Sequence, residues 1–117
     1  MDNIMERILT LPLKQMENIS TYMPDSATIN RLADFFNIFS DCTRIKILTA
    51  LSIATMCVND LSVVLNLNQT TVSHQLKFLR QAGVVTTFRK GKLIYYQLSS
   101  QAINEVLSGG VDYLIAN

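Results

Sequence analysis

This chain of 117 residues carries a formal charge of only +1, is 49% hydrophobic and contains two cysteines. Its length fits a single domain, two cysteines are too few for a disulfide scaffold, and no apolar run reaches the roughly 18 residues of a transmembrane helix. Because the N-terminus also lacks a signal-peptide layout, we expect a cytoplasmic protein with no membrane partner.

The charge is distributed unevenly along the chain. Residues 61–104 contain five basic residues and no acidic one, whereas the remainder carries five basic and nine acidic residues. A positive half on a near-neutral chain predicts a face that binds phosphates. A solvated basic surface gives the same pattern, and only the motifs in this region distinguish it from a phosphate-binding face.

The chain opens with an amphipathic arm. Apolar residues recur at helical spacing from Ile4 to Leu11, until Pro12 interrupts them because it has no amide hydrogen to donate. The sequence therefore predicts a short helix, a break, and a further turn or two over residues 14–20. We expect residues 1–23 to pair two copies of the chain, the alternative being packing on their own subunit.

Two more helices follow. Asp25 or Ser26 can cap the first, and Asp41 can cap the second. The first has an apolar face at helical spacing, formed by Ile29, Leu32, Ala33, Phe36 and Phe39. The second is predicted to be buried and to end at about Ile53, through Ile45, Ile47, Leu48, Ala50 and Leu51.

A helix-turn-helix is predicted over residues 58–82. Its first helix ends at about Leu65 and is expected to bury Leu61, Val64 and Leu65. The three-residue turn that follows has the length typical of this motif. Asn68 then caps the second helix and Gly83 ends it.

The second helix has two contrasting faces at about 100° per residue. Its apolar side is formed by Val72, Leu76 and Leu79, and its opposite side by Thr70, His74, Lys77 and Gln81. The outer side carries hydrogen-bonding groups, one cation and no acid, whereas an ordinary surface helix of this length usually includes Glu or Asp. Such a face can enter a major groove and contact base edges.

The remaining pattern predicts a hairpin and a last helix. Two strands over residues 84–88 and 93–98 flank a tip formed by Arg89, Lys90, Gly91 and Lys92, which suits a wing that touches phosphates. The last helix spans residues 100–116, and Gly109-Gly110 either breaks it or permits a close helix crossing. The predicted fold is thus one domain, mainly α with a small β-hairpin wing (84–98), pairing through its N- and C-terminal helices.

These motifs resemble those of the ArsR/SmtB family of bacterial winged-helix repressors. The resemblance is carried by Ser73-His74-Gln75-Leu76, Leu79-Arg80, Ala82-Gly83 and Tyr95-Tyr96-Gln97-Leu98, and it extends back to Asp41-Cys42-Thr43-Arg44. It covers roughly residues 29–107. The resemblance implies a homodimer that pairs through its first and last helices, binds double-stranded operator DNA and is released by an inducer.

The predicted DNA-binding residues are Asn68, Gln69, Thr70, Thr71, Ser73, His74, Lys77, Arg80, Arg89, Lys90 and Lys92. The inducer is not identified by the sequence. Where many members of the family have a Cys-Val-Cys-Asp-Leu metal box, this chain has Cys57 but Asn59 in place of the second thiolate, and soft metals prefer several thiolates. The last helix has no His for a second metal site, so we predict no metal and no other cofactor.

The two cysteines, Cys42 and Cys57, are possible sensors of oxidants or reactive sulfur, or they are structural. They are separated by roughly 17 Å of helix, too far for an intrachain disulfide without remodelling. We therefore predict a homodimeric, sequence-specific transcriptional repressor, with a winged-helix module that binds protein without reading DNA as the alternative. One His and no acid–base constellation predict that the chain is not an enzyme.

Overall fold

The structure, a computed structural model, describes residues 10–116, and the contacts divide the chain into two compact units, Met1–Asp34 and Phe35–Asn117. The helices and strands are α1 (Leu13–Tyr22), α2 (Ser26–Asn37), a short 3-10 turn (Ile38–Ser40), α3 (Cys42–Ile53), α4 (Val58–Leu65), α5 (Gln69–Gln81), β1 (Val85–Lys90), β2 (Leu93–Leu98) and α6 (Gln101–Ala116). The predicted fold, mainly helical with one small hairpin, is confirmed.

In the first unit, α1 begins directly after Pro12 and buries none of its residues. The break predicted at this proline is confirmed, and the helix runs to Tyr22, slightly longer than predicted. The apolar pattern that begins at Ile4 lies outside the described residues until Thr10. Asp25 caps α2, because its Oδ1 accepts a hydrogen bond from the Thr28 amide at 2.8 Å, and this bond lowers the pKa of the Asp25 carboxyl.

The core of the second unit surrounds α3, which packs against α4, α5, β2 and α6. Asp41 caps α3 as predicted, since its Oδ2 accepts from the Arg44 amide at 3.0 Å. The largest fully buried side chains are Ile47, Leu48, Leu61, Val72, Leu76, Leu79 and Val85. These side chains come from α3, α4, α5 and β1, so the helix-turn-helix and the hairpin share one apolar centre.

Two residues predicted to be buried are exposed: Ile45 is 37% exposed and Val64 is 65% exposed. In α3 the buried side runs through Ile47 and Leu51, and at about 100° per residue Ile45 falls on the opposite side. In α4 the buried side runs through Leu61 and its neighbour Ser62, which leaves Val64 beside the core rather than in it.

The last helix is continuous. α6 runs through Gly109 and Gly110 without a break, and Ile103 is its one buried residue among those described. Its C-terminal apolar residues Val111, Leu114 and Ile115 are all exposed in the single chain. Within residues 10–116 no helix is both long enough and apolar enough to cross a membrane.

Candidate DNA-binding surface

The turn between α4 and α5 is fixed by backbone geometry. Asn66 adopts the left-handed conformation with φ 53° and ends α4. Its amide donates to the Val63 carbonyl at 3.3 Å, and the Leu67 amide donates to the Ser62 carbonyl at 3.0 Å. These bonds satisfy carbonyls that a helix end leaves free, and Asn tolerates this conformation better than most residues.

Both ends of α5 carry the predicted caps. Asn68 precedes the helix, and its Oδ1 accepts from the Thr71 amide at 2.7 Å. At the other end Gly83 has φ 80°, its amide donates to the Arg80 carbonyl at 3.0 Å, and the Val84 amide donates to the Leu79 carbonyl at 3.1 Å. This pair of bonds is a Schellman motif, which requires the left-handed residue that glycine supplies.

The two faces of α5 differ as the sequence predicted. Val72, Leu76 and Leu79 are completely buried. The exposed residues of the helix are Gln69, Thr70, Ser73, His74, Lys77, Phe78, Arg80 and Gln81. Of the predicted DNA-binding residues, only Thr71 is half-buried, and Asn68, Arg89, Lys90 and Lys92 are exposed like the rest. The polar face is therefore accessible along the whole helix.

One contact at the start of α5 was not predicted. The Nε2 of Gln69 donates to the Oδ1 of Asn59 at 3.0 Å. Asn59 lies in the first turn of α4, at the position where the resemblance placed the missing thiolate. The bond joins α4 and α5 through their side chains, and it occupies the Nε2 group of Gln69. The residue type alone gave no signal for this pairing.

Arg44 supports α5 through its contact with Phe78, a role that the sequence analysis missed. Its Nε donates to the Ile38 carbonyl at 2.9 Å and its Nη2 to the Asn37 carbonyl at 3.2 Å. The guanidinium carbon also lies 4.6 Å from the centre of the Phe78 ring on α5. Arg44 thus connects the end of α2 to α5. Its place in the segment from Asp41 to Arg44 that carried the family resemblance was the one available signal.

The wing differs from the predicted one at its tip. β1 pairs antiparallel with β2 from Val85 opposite Leu98 to Lys90 opposite Leu93. Arg89 and Lys90 therefore belong to the strand, and the turn contains only Gly91, with φ 65°, and Lys92. The prediction of a four-residue tip is wrong, because a glycine with positive φ at the first turn position closes a hairpin in two residues.

The position of the cations follows from this register. Successive side chains of a strand point to opposite faces, so Arg89 and Lys90 lie on opposite faces of the hairpin. On the face of Lys90, Phe88 stacks on Tyr95 with ring centres 5.4 Å apart and an interplanar angle of 12°. This pair stiffens the outer part of the wing and holds its strands in register.

The base of the wing is tied to the helices. Met56, in the segment between α3 and α4, pairs with Tyr96 of β2: the Tyr96 amide donates to the Met56 carbonyl at 2.8 Å, and the Met56 amide donates back at 3.3 Å. At the other side of the base, the Ser99 hydroxyl donates to the Gly83 carbonyl at 2.7 Å. The hairpin is therefore held to both ends of the helix-turn-helix.

The two cysteines lie at helix N-termini but in different surroundings. Cys42 is the exposed first residue of α3, and Cys57 is the buried residue that precedes α4. Both are free thiols. In the part of the chain that the structure describes, no three His, Cys, Asp or Glu residues form a group that could hold a metal ion.

Comparison with known proteins gives a consistent result. The model of the family "Bacterial regulatory protein, arsR family" matches residues 41–87. The chain is 28% identical over 106 residues to the transcriptional repressor SmtB homolog of Synechocystis sp., covering 88% of this chain and 80% of that relative. It is 35% identical over 83 residues to the cadmium resistance transcriptional regulatory protein CadC of Listeria innocua, covering 70% of each. The crystal structure of the AntR antimony-specific transcriptional repressor matches with a TM-score of 0.72 and 25% identity, over 83% of this chain and 91% of that one.

Proposed function

Because this chain belongs to the arsR family of bacterial regulatory proteins and is a DNA-binding transcriptional repressor, we propose that it works as a cytoplasmic homodimer bound to an inverted-repeat operator. Each copy presents one α5 and one hairpin to the DNA. The observation that carries the proposal is the acid-free, exposed polar face of a helix whose two ends are both capped.

In this arrangement α5 enters the major groove. His74 and Lys77 are one turn apart on the exposed face, where imidazole and ammonium groups reach base edges. Thr70 and Ser73 lie nearer the N-terminus of the helix, where hydroxyls and the helix dipole favour phosphate. Gln69 contacts DNA only with what its bond to Asn59 leaves free.

The wing supplies contacts that do not depend on sequence. Lys92 lies in the turn, and Arg89 and Lys90 lie on opposite faces just below it. Exposed cations attract phosphates and release counterions from the duplex. Since the strand geometry separates Arg89 from Lys90, we propose that they contact different parts of the backbone rather than a single phosphate.

Pairing of two copies is supported by exposed apolar surface. On α6 the exposed residues Val111, Leu114 and Ile115 follow the spacing i, i+3, i+4, which forms one stripe. On α1, Leu13 and Ile19 are likewise exposed. Apolar stripes of this kind are stabilised when a second copy covers them, and a twofold dimer then sets the spacing of the two α5 helices.

We propose that the inducer is not a soft metal bound at the start of α4. One buried thiol, Cys57, is available there, and Asn59 stands two residues later, where its oxygen is already paired with Gln69. Cys42 and Cys57 remain the candidates for a redox signal. Measuring DNA binding with peroxide and persulfide on Cys42→Ser and Cys57→Ser tests this, and an unchanged response in both variants excludes the thiols.

The experiment for the function is fluorescence anisotropy with DNA from upstream of the protein's own operon, measured over a series of salt concentrations. We expect His74→Ala and Lys77→Ala to weaken specific binding by about 1–3 kcal/mol where they contact a base. Lys90→Ala should weaken binding to every sequence alike and reduce the slope of log K against log salt by about one.

The matched control is Arg31→Ala, which removes an exposed cation of α2 and so lowers the net charge by the same amount as Lys90→Ala. It should leave the salt slope unchanged. If the wild-type protein binds upstream and scrambled DNA equally at every salt concentration, the chain has no sequence-specific operator and the proposal fails.

A further inference from the structure

An apolar groove lies on the side of α3 and α4 away from the core. It has a volume of about 530 Å³ and is lined by α3, by the connection that includes Met56, and by the end of α4. Its α3 wall is the stripe Ile45, Thr49 and Ile53, spaced by four residues, and its α4 wall includes Val64. Ile45 and Val64, which the sequence wrongly predicted to be buried, therefore both line this groove rather than the core.

The groove exposes apolar side chains to water, which is energetically unfavourable. Ile53 is 82% exposed and Val64 is 65% exposed, although each lines a concave surface. Pockets that take small organic molecules have volumes of about 300–1000 Å³ and mostly apolar walls with a few polar groups. The volume and lining of this groove match that description.

The polar groups of the groove indicate what its ligand carries. Lys46 is the one charged residue of the lining, with the Thr49 hydroxyl one turn of α3 away. Lys46 is exposed, and among residues 10–116 it has no acidic partner. An apolar lining that includes one exposed lysine is complementary to an apolar chain that ends in one anionic group.

We propose that this groove binds a free monocarboxylate with a medium-length alkyl chain, and that this ligand is an inducer. The alkyl chain lies along Ile53 and Val64, and the carboxylate lies at Lys46. The inference rests on the proposed repressor function, whose release it explains, but the binding step itself does not require DNA.

The groove borders the segments that lead into both DNA-contacting elements. Val64 and Leu65 end α4, directly before the turn that sets the start of α5. Met56 lines the groove, and its backbone pairs with Tyr96 of the wing. A ligand that separates α3 from α4 therefore changes the angle between α5 and the hairpin, and it lowers DNA affinity by as much as it prefers the altered arrangement.

The test uses the full-length protein, labelled with 15N, and decanoate below its micelle concentration, with decanol as the uncharged control. We expect amide shifts confined to α3, α4 and their connection, saturating with decanoate. Lys46→Gln should weaken decanoate about fivefold, as for an exposed ion pair, and leave decanol unchanged. Equal affinity of the wild type for decanoate and decanol would overturn the carboxylate assignment.

A matched pair of variants tests the site. Val64→Asp places a carboxylate in the groove and should weaken decanoate by at least about tenfold. Val63→Asp adds the same charge one residue earlier on α4, at a side chain that is 71% exposed and outside the lining, and should change decanoate affinity less than about twofold. Both positions are exposed, so neither change disrupts the core, and circular dichroism checks this.

The inducer role is read from DNA anisotropy. Decanoate should release DNA from the wild type and from Val63→Asp but not from Val64→Asp. Saturating decanoate with unchanged DNA affinity would overturn the inducer role. If the wild type binds no specific DNA, the proposed function fails, and the amide shifts still decide whether the groove binds decanoate. Dissociation of the dimer by Val64→Asp alone would show that a second copy covers the groove, and it would overturn the ligand proposal.

Discussion

The cap of α5 has two roles that a single position can separate. Asn68 accepts the Thr71 amide at 2.7 Å, and it lies at the end of the helix that we propose to meet phosphate. Asn68→Ala removes the acceptor and should lower the free energy of unfolding by about 1 kcal/mol. Asn68→Asp keeps an acceptor and adds a charge that the helix dipole favours, so stability should be equal or higher by about 0.3–1 kcal/mol.

The order for DNA binding should be different. A carboxylate about 4 Å from a phosphate costs about 1 kcal/mol in water, or about fivefold in affinity. In the proposed dimer the change is present twice, so Asn68→Asp should weaken DNA binding by about 25-fold if the two sites are independent. Asn68→Ala should weaken it less, because the start of the helix frays but no repulsion is added.

The assays are urea unfolding followed by circular dichroism at one fixed protein concentration, and DNA anisotropy at several salt concentrations. Ser100→Asp is the control, since Ser100 caps α6 by accepting the Ala102 amide at 3.1 Å and lies at the base of the wing. It adds the same charge and should leave DNA affinity unchanged. An Asn68→Asp variant that binds DNA as tightly as the wild type at low salt would refute the placement of this helix end at phosphate.

Three further predictions concern the supports of the fold. Arg44→Lys keeps the charge but loses the two carbonyl bonds and the stacking on Phe78, so it should destabilise the protein by about 2 kcal/mol in urea unfolding; a loss below about 0.5 kcal/mol would mean that lysine restores the contacts. Gly109→Ala should stabilise α6 by up to about 1 kcal/mol, because the added Cβ meets no atom within 4 Å; lower stability would instead reveal a partner helix at that point. The pKa of Asp25 is lowered by its bonds from Thr28, so its contribution to α2 is present above the unfolded pKa and is lost as the pH falls through the folded one, and a carboxyl titration by NMR that gives an ordinary pKa would contradict this.

The sequence was most informative where local chemistry determines structure. Asn68 and Gly83 predicted the two ends of α5, because Asn is favoured as an N-cap and Gly as the left-handed residue that follows a helix. Asp41 and Pro12 marked the starts of α3 and α1 in the same way. The buried side of α5 followed from periodicity, since Val72, Leu76 and Leu79 fall on the same side of a helix.

The sequence was least informative where structure depends on contacts between distant segments. Ile45 and Val64 are apolar residues on amphipathic helices, and only the packing of α3 against α4 decides that both remain outside the core. The bond of Gln69 to Asn59 and the stacking of Arg44 on Phe78 each join residues on different elements. In the wing, the predicted tip includes Arg89, because the sequence alone does not show whether the turn at Gly91 contains two or four residues.

The bond between Asn59 and Gln69 connects the start of α4 to the start of the proposed DNA-contacting helix. Replacing Asn59 by Cys would bring back the second thiolate of the box, but the same change removes the oxygen that holds Gln69. A thiolate introduced at this position would therefore also release the side chain of Gln69, the first residue of α5. The signal that such a box would receive and the DNA contact proposed for Gln69 are therefore coupled through one side chain.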